Sequence, residues 1–114
     1  MSAITTHVLD TSRGRPAAGI SVTLEHLQPD LTWKQIGGGE TDQEGRLQTL
    51  MRAGAPLTPG TYKLVFQTKR YFDAAGVRAF YPSISITFET AAGEIHYHVP
   101  LLLSPVGYST YRGS

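Results

Sequence analysis

Apolar and polar residues alternate along most of this chain, in short runs that are separated by turn-forming residues. Between positions 19 and 25, for example, Ile20, Val22 and Leu24 alternate with polar residues. Successive side chains of a strand point to opposite faces, so a period of two predicts a strand with one buried and one wet face. Eight such strands are predicted, over residues 3–9, 19–25, 31–36, 46–50, 61–67, 83–90, 95–103 and 108–111.

One stretch, from Thr68 to Gly76, departs from the alternation and predicts a helix of about two turns. Thr68 has the side chain of a helix cap, and Gly76 occupies the place of a glycine just beyond a helix end. Glycines 37–39 predict a flexible segment. The run at 41–45 contains the Asp and Gly of a tight turn and leads into the strand that begins at Arg46.

The spacing of the strands and their frequent turns favour an all-β sandwich. Alternation with one wet face is typical of antiparallel sheets, which we expect here. A length of 114 residues predicts a single domain over residues 1–114.

Composition excludes several classes of protein. A formal charge of +1, with its basic residues scattered, predicts no nucleic-acid partner and no acidic membrane surface as partner. The absence of cysteine rules out disulfides and thiolate metal sites. The first residues lack the basic and apolar regions of a signal peptide, and no apolar run has the length of a membrane span. We therefore expect a cytoplasmic protein.

The candidates for chemistry are four histidines and one arginine. His7 and His98 lie on outward strand faces, where a lone histidine is most often an exposed strand residue, and His26 has no companion motif. His96 and His98 share a face and could ligate zinc, but two histidines without a local Cys or carboxylate are a weak metal signal. Arg46 follows the tight turn and on local evidence is a solvated side chain.

The chain ends in Tyr108-Ser-Thr-Tyr-Arg-Gly-Ser114, which contains two tyrosines and an arginine. A disordered tail would be poorer in aromatic residues and richer in Glu, Lys, Ser and Pro. The last residues are therefore predicted to be docked against the rest of the molecule.

Three separated segments resemble the transthyretin-related proteins that act as 5-hydroxyisourate hydrolases. They are Ile-Thr-Thr-His-Val-Leu-Asp-Thr-Ser-Arg-Gly-Arg-Pro at 4–16, Thr-Asp-Gln-Glu-Gly-Arg at 41–46, and the region from His96 through Tyr-Arg-Gly-Ser at the end. The first two also occur in other small sandwich modules. The third is more specific, because transthyretin keeps a similar Leu-Leu-Ser-Pro stretch but lacks the histidines and the Tyr-Arg-Gly-Ser ending.

The resemblance implies a transthyretin-like (prealbumin-like) sandwich of two four-stranded antiparallel sheets with one short helix. It also implies a homotetramer, a dimer of dimers, with active sites in a channel between the dimers. The implied reaction is hydrolysis of 5-hydroxyisourate to 2-oxo-4-hydroxy-4-carboxy-5-ureidoimidazoline in urate degradation, without a metal or an organic cofactor.

Carried over by position, the catalytic residues of that family fall on His7, Arg46, His98 and Ser114. His98 is chosen over His96 because the family pattern uses the second histidine of the His-x-His pair. The same four residues, with Tyr111, are expected to bind the substrate. His7 and His98 would activate water and transfer protons, with the choice of base left open, and Arg46 would stabilise developing charge.

Two other functions share parts of this pattern. The first is a ligand carrier of the transthyretin type that uses the same channel, and the second is a non-catalytic sandwich binding module. The pairing of His7 with His98 and the docked chain end argue against both of them.

Overall fold

Two β-sheets packed face to face and one short helix make up the computed structural model, which describes residues 2–114. The elements in chain order are β1 (Ile4–Asp10), β2 (Arg15–Pro16), β3 (Ser21–Leu27), β4 (Trp33–Glu40), β5 (Arg46–Leu47), β6 (Gly60–Phe66), α1 (Thr68–Ala74), β7 (Ile84–Thr90), β8 (Tyr97–Leu103) and β9 (Tyr108–Thr110). One sheet has the order β2–β1–β8–β9, with β5 also paired to β1, and the other has the order β4–β3–β6–β7.

The predicted all-β sandwich with one short helix is confirmed. The expectation of two four-stranded antiparallel sheets holds for the second sheet but not for the first. The first sheet has five strands, because β2 and β5 share one edge of β1. β2, at Arg15–Pro16, lies in a segment that was expected to be a loop, and β5 is the first part of the strand that was predicted over residues 46–50. The pairing of β1 with β8 is parallel. A parallel pair needs a long crossover connection, and here most of the chain lies between the two strands.

The predicted alternation correctly identifies the core. Side chains on the inner faces of both sheets are buried together: Ile4, Val8, Val22, Leu24, Tyr62, Leu64, Phe66, Ile84, Ile86, Tyr97, Val99 and Leu101. Full burial of one such side chain stabilises the fold by about 1.5–3 kcal/mol. Ile95 was expected on this inner face, but it precedes β8 and is 84% exposed.

The prediction that glycines 37–39 are flexible is wrong, because they form part of β4. The segment that follows β5 crosses this strand at close range. A Cβ atom on Gly37 would overlap the carbonyl oxygen of Leu50, and one on Gly39 would lie 3.0 Å from Cδ1 of Leu47. The N–H of Gly38 donates to the Leu50 carbonyl at 3.1 Å. These glycines therefore make room for a backbone crossing.

Helix α1 begins at Thr68, as predicted, but Thr68 is not its cap. Gln67 occupies the cap position without a side-chain hydrogen bond, and Thr68 is buried in the first turn. Gly76 lies just past the helix end with a φ of 71°, as expected for a glycine at that place. The hydroxyl of Tyr71 donates to the buried carboxylate of Asp10 at 2.7 Å and ties the helix to the end of β1.

Helix α1 spans seven residues. Nowhere in residues 2–114 is there a helix with the length and apolar content needed to cross a lipid bilayer.

Replacement of Gly37 by Ala tests the backbone crossing. The added methyl group would collide with main-chain atoms of Leu50, so we expect Gly37→Ala to lower the free energy of unfolding by about 1–3 kcal/mol or more. Gly107→Ala is the control, since a Cβ atom there would meet only Ser104 Oγ, at 3.9 Å. Urea denaturation of both variants measures the difference. Equal stabilities would contradict the close approach.

Candidate functional site

His7 and Arg46 lie directly opposite each other on β1 and β5. Side chains opposite each other in an antiparallel pair share one face of the sheet. His7 Nε2 lies 2.9 Å from the carbonyl oxygen of Glu44. A carbonyl can only accept, so this contact places a proton on Nε2 and leaves Nδ1 with the lone pair of the neutral ring.

The turn before β5 fixes the position of Arg46, the first residue of that strand. Oδ1 of Asp42 accepts hydrogen bonds from the backbone N–H groups of Glu44 and Arg46, at 2.8 and 3.0 Å. The Arg46 N–H is the main cause that holds the pKa of Asp42 below its ordinary value, and the Arg46 charge adds to it. Gly45 has a φ of 76°, and a Cβ atom there would overlap the carbonyl oxygen of Val8. The predicted tight turn is therefore packed directly on β1.

His98, on β8, lies on the same sheet face as His7 and Arg46. It pairs with Thr5 in the parallel register and is half-buried, whereas its neighbours Tyr97 and Val99 point into the core. Oγ1 of Thr5 lies 2.8 Å from His98 Nδ1 and 3.4 Å from His96 Nε2. His96 and His98 thus share one hydroxyl group between them.

The chain end covers the other edge of the His98 ring. The N–H of Gly113 donates to the carbonyl of His98 at 2.8 Å. A Cβ atom on Gly113 would lie only 2.7 Å from Cδ2 of His98, so the backbone next to Ser114 rests against the imidazole. Nε2 is bonded to Cδ2 and therefore lies on the side of the chain end, away from Thr5. The predicted docking of the last residues is confirmed.

Arg112 holds the last residues of the chain in place through an ion pair and a stacking contact. Its Nη2 atom lies 2.7 Å from Oε2 of Glu94, and its guanidinium stacks on the ring of Tyr97 at 4.4 Å from the centroid. The Tyr97 hydroxyl also donates to Glu94, at 3.1 Å. An exposed ion pair contributes about 0–1 kcal/mol, and the cation–π contact adds about 0.5–1 kcal/mol. The contacts are modest in energy, and their main consequence is to fix the path of the last residues.

The pKa of His98 is lowered from its ordinary value of 6.5. Burial of the ring is the largest cause, and the charges of His7, Arg46 and His96 lower the pKa further. These groups are therefore close enough to disfavour a positive charge on His98. A lowered pKa favours the neutral imidazole of His98 near pH 7.

The predicted site residues fall into two groups. His7, Arg46 and His98 lie on one face of the five-stranded sheet, and Ser114 follows the glycine that touches His98. Tyr111 lies elsewhere in the protomer. It is 58% exposed and lines a cavity of about 300 Å³ together with Tyr97 and other residues from the core side of β8.

Two residues of the site were not among the sequence candidates. Thr5 shares a strand face with His7 in the predicted alternation, but only the parallel pairing with β8 brings it to His98. Asp42 belongs to the predicted tight turn, and its hydrogen bond to the N–H of Arg46 could have been expected from that turn.

In the described part of the chain, no group of three or more His, Cys, Asp or Glu side chains is arranged to hold a metal ion. His96 and His98 contact a threonine hydroxyl instead. That the protein needs no metal or organic cofactor stays a prediction.

The sandwich and its polar face, with a histidine–arginine pair beside a second histidine, define a transthyretin-like protein. The chain belongs to the HIUase/Transthyretin family, whose model matches residues 4–113. It is 47% identical to 5-hydroxyisourate hydrolase 2 of Rhizobium meliloti, over 97% of this chain and 95% of that protein.

Two solved structures are similar in fold. The 5-hydroxyisourate hydrolase of Klebsiella pneumoniae superposes with a TM-score of 0.85 at 35% identity, covering 99% of this chain and 100% of that chain. Sea bream transthyretin in complex with thyroxine superposes with a TM-score of 0.90 at 29% identity, covering 97% and 94%. The transthyretin-like fold expected from the sequence is confirmed.

The low pKa of His98 can be tested by NMR titration of its ring protons. We expect a midpoint below 6.5, so that His98 stays neutral as the pH falls and becomes charged only when the pH passes the lowered pKa. Arg46→Gln should move the midpoint up, because it removes one of the positive charges. Lys34→Gln, on the other sheet, should leave it unchanged. A midpoint at or above 6.5 in the unmodified protein would contradict the burial of His98 beside positive charge.

Proposed function

We propose that this protein is a 5-hydroxyisourate hydrolase of urate degradation. It converts 5-hydroxyisourate to 2-oxo-4-hydroxy-4-carboxy-5-ureidoimidazoline. The observation that carries the proposal is the convergence of His7, Arg46 and His98 on one wet sheet face. The relatives from Rhizobium meliloti and Klebsiella pneumoniae, which are similar along nearly the whole chain, bear the name of this enzyme.

His98 is the better candidate for the general base. Hydrolysis requires a base that takes a proton from water as the water oxygen bonds to the C6 carbonyl carbon. Burial and the nearby Arg46 charge lower the pKa of His98 and favour its neutral form, and Thr5 contacts its Nδ1, so Nε2 remains for the water. The C6–N1 bond then breaks, and the nitrogen takes up a proton from an imidazolium.

His7 and Arg46 would act on the substrate rather than on the water. The Nε2 proton of His7 is directed at the Glu44 carbonyl, so its Nδ1 is the atom available to orient a donor of the substrate. The Arg46 guanidinium would stabilise the negative charge that develops on the attacked carbonyl oxygen. Ser114, next to the glycine that touches His98, would close the pocket with its hydroxyl or its carboxylate.

A homotetramer, as a dimer of dimers, is part of the proposal. β7 and β9 are each an edge strand of their sheet, and all three residues of β9 are exposed. An open strand edge is a natural site for pairing with a second copy. Phe80 and Val106 are 73% and 74% exposed and add apolar surface beside β9. Tyr111 would reach a substrate only across such an interface, and its binding role stays a prediction, as does the cytoplasmic location.

The direct test is to generate 5-hydroxyisourate with urate oxidase and to follow its ultraviolet decay with and without this protein. The hydrolase proposal predicts faster decay in proportion to protein concentration. The similarity to transthyretin with bound thyroxine favours a ligand carrier as the second candidate. A carrier would bind a small planar ligand but would leave the decay at its spontaneous rate.

Alanine variants test the assignment of residues. His7→Ala, Arg46→Ala and His98→Ala should each lower kcat/KM by about 10²-fold or more, since a positioned acid or base contributes about 10²–10⁴-fold. Their unfolding free energies should stay within about 1 kcal/mol of the parent protein, because none of these side chains fills the core. His96→Ala keeps the imidazole of His98 and should reduce the rate less than His98→Ala. An equal loss in His96→Ala and His98→Ala would contradict the choice between these histidines.

Extension of the chain beyond Ser114 should impair the activity more than extension before Met1. An added tag moves the terminal carboxylate and pushes bulk toward the ring of His98, against which the preceding glycine rests. Misplacement of a catalytic group by about 1 Å can lower the rate on the order of 10²-fold.

Sedimentation of the same samples separates a loss of chemistry from a loss of assembly. Full activity of the C-terminally extended protein would show that Ser114 does not take part in the site.

A further inference from the structure

Thr5 lies between two histidines, and its contact with His98 does not by itself fix which nitrogen of that ring carries the proton. It lies on β1, two residues before His7, and is only 2% exposed. Its Oγ1 atom is 2.8 Å from Nδ1 of His98 and 3.4 Å from Nε2 of His96. The hydroxyl has a single proton to donate, so it cannot donate to both rings at once.

When both rings are neutral and the hydroxyl donates to one of them, two arrangements are possible. If Thr5 donates to His96, it must accept the proton of His98 Nδ1, and Nε2 of His98 then holds a lone pair. If Thr5 donates to His98 Nδ1 instead, the proton of His98 is on Nε2, and the ring has no lone pair on the side of the chain end. Only the first arrangement leaves His98 able to accept a proton from water.

We propose that Thr5 is a positioning residue that holds His98 in its Nδ1–H tautomer, with the Nε2 lone pair directed toward the chain end. His96 completes the arrangement by accepting the Thr5 proton. The tautomer of a histidine is set by the hydrogen bond that its other nitrogen makes, and here that partner is a buried hydroxyl in a fixed strand. This inference rests on the proposed function for its effect on catalysis.

Two contacts on opposite edges fix the plane of the His98 ring. Thr5 holds Nδ1, and the Gly113 backbone packs against Cδ2. Without the Thr5 hydroxyl the ring would lose its contact at Nδ1, and both its tautomer and its orientation would then vary. Removal of this hydroxyl therefore affects the rate of the chemical step more than the binding of the substrate.

The next residue on the strand provides a matched control. Thr6 is also buried, but its side chain is on the core face and donates to the carbonyl of Val99 at 2.6 Å. Replacement of either threonine by valine removes one buried hydroxyl and keeps the shape of the side chain. Only Thr5→Val removes a contact with a histidine.

The first experiment measures kinetics on Thr5→Val, Thr5→Ser and Thr6→Val. We expect Thr5→Val to lower kcat by about 10-fold or more with little change in KM. Thr5→Ser keeps the hydroxyl and should retain most of the activity, and Thr6→Val should retain kcat in the fraction that is folded. An unchanged kcat in Thr5→Val, or an equal loss of kcat in Thr6→Val, would overturn the proposal.

The second experiment reads the tautomer directly from the ¹⁵N chemical shifts of the histidine rings in the unmodified protein without substrate. The proposal requires a protonated Nδ1 and an unprotonated Nε2 in His98 near pH 7. A protonated Nε2 would overturn it. This readout needs neither a variant that folds nor an active enzyme, so failure of the hydrolase proposal in the urate oxidase assay remains distinguishable from failure of the role of Thr5.

Discussion

The parallel pairing of β1 with β8 is the contact on which both the sandwich and the candidate site depend. Its register sets Thr5 opposite His98 and buries Ile4 and Val8 on the other face. A shift of one residue would exchange the two faces and expose the core residues to water. The same hydrophobic burial that fixes the register therefore also fixes which polar side chains meet outside the core.

The opposite edge of β1, which pairs with β5, contributes the remaining residues of the candidate site. There the short strand β5 places Arg46 beside His7, and the turn that leads into it is closed by Asp42 and packed on β1 through Gly45. The result is a cluster of three histidines and one arginine, which would repel one another if all were charged. Partial burial and this repulsion act in the same direction and keep His98 neutral.

Much of this arrangement could be predicted from local patterns. Period-two alternation located the core positions of β3, β6 and β7, and the glycine after α1 marked the helix end. The parallel pair and the strand β2 could not be predicted, because they depend on contacts between distant segments rather than on alternation, and the predicted strand at 46–50 gave no indication that its first two residues pair with β1. Glycines 37–39 show the same limit, since a glycine run looks flexible until the backbone that crosses it is known.

The same division holds for the candidate site. Alternation put His7 and His98 on solvent-exposed strand faces, and the resemblance of the last segment to one family singled out His98. Neither observation indicated how close the two histidines lie in the fold. The role of Thr5 was hidden because it lies 93 residues from His98: alternation puts Thr5 on the face of His7 but says nothing about its partner on β8.

That separation has a consequence for the way the chain folds. During synthesis β1 emerges early, whereas its partner β8 follows only after the helix and the second sheet have been made. Pairing of segments that are far apart in the sequence has a large cost in loop-closure entropy and is slow. The edge of β1 that pairs with β8 therefore stays unpaired during most of synthesis and folding. Until then this edge of β1 presents unpaired backbone N–H and C=O groups. Pairing with β8 therefore closes an open strand edge and assembles the candidate site in the same step.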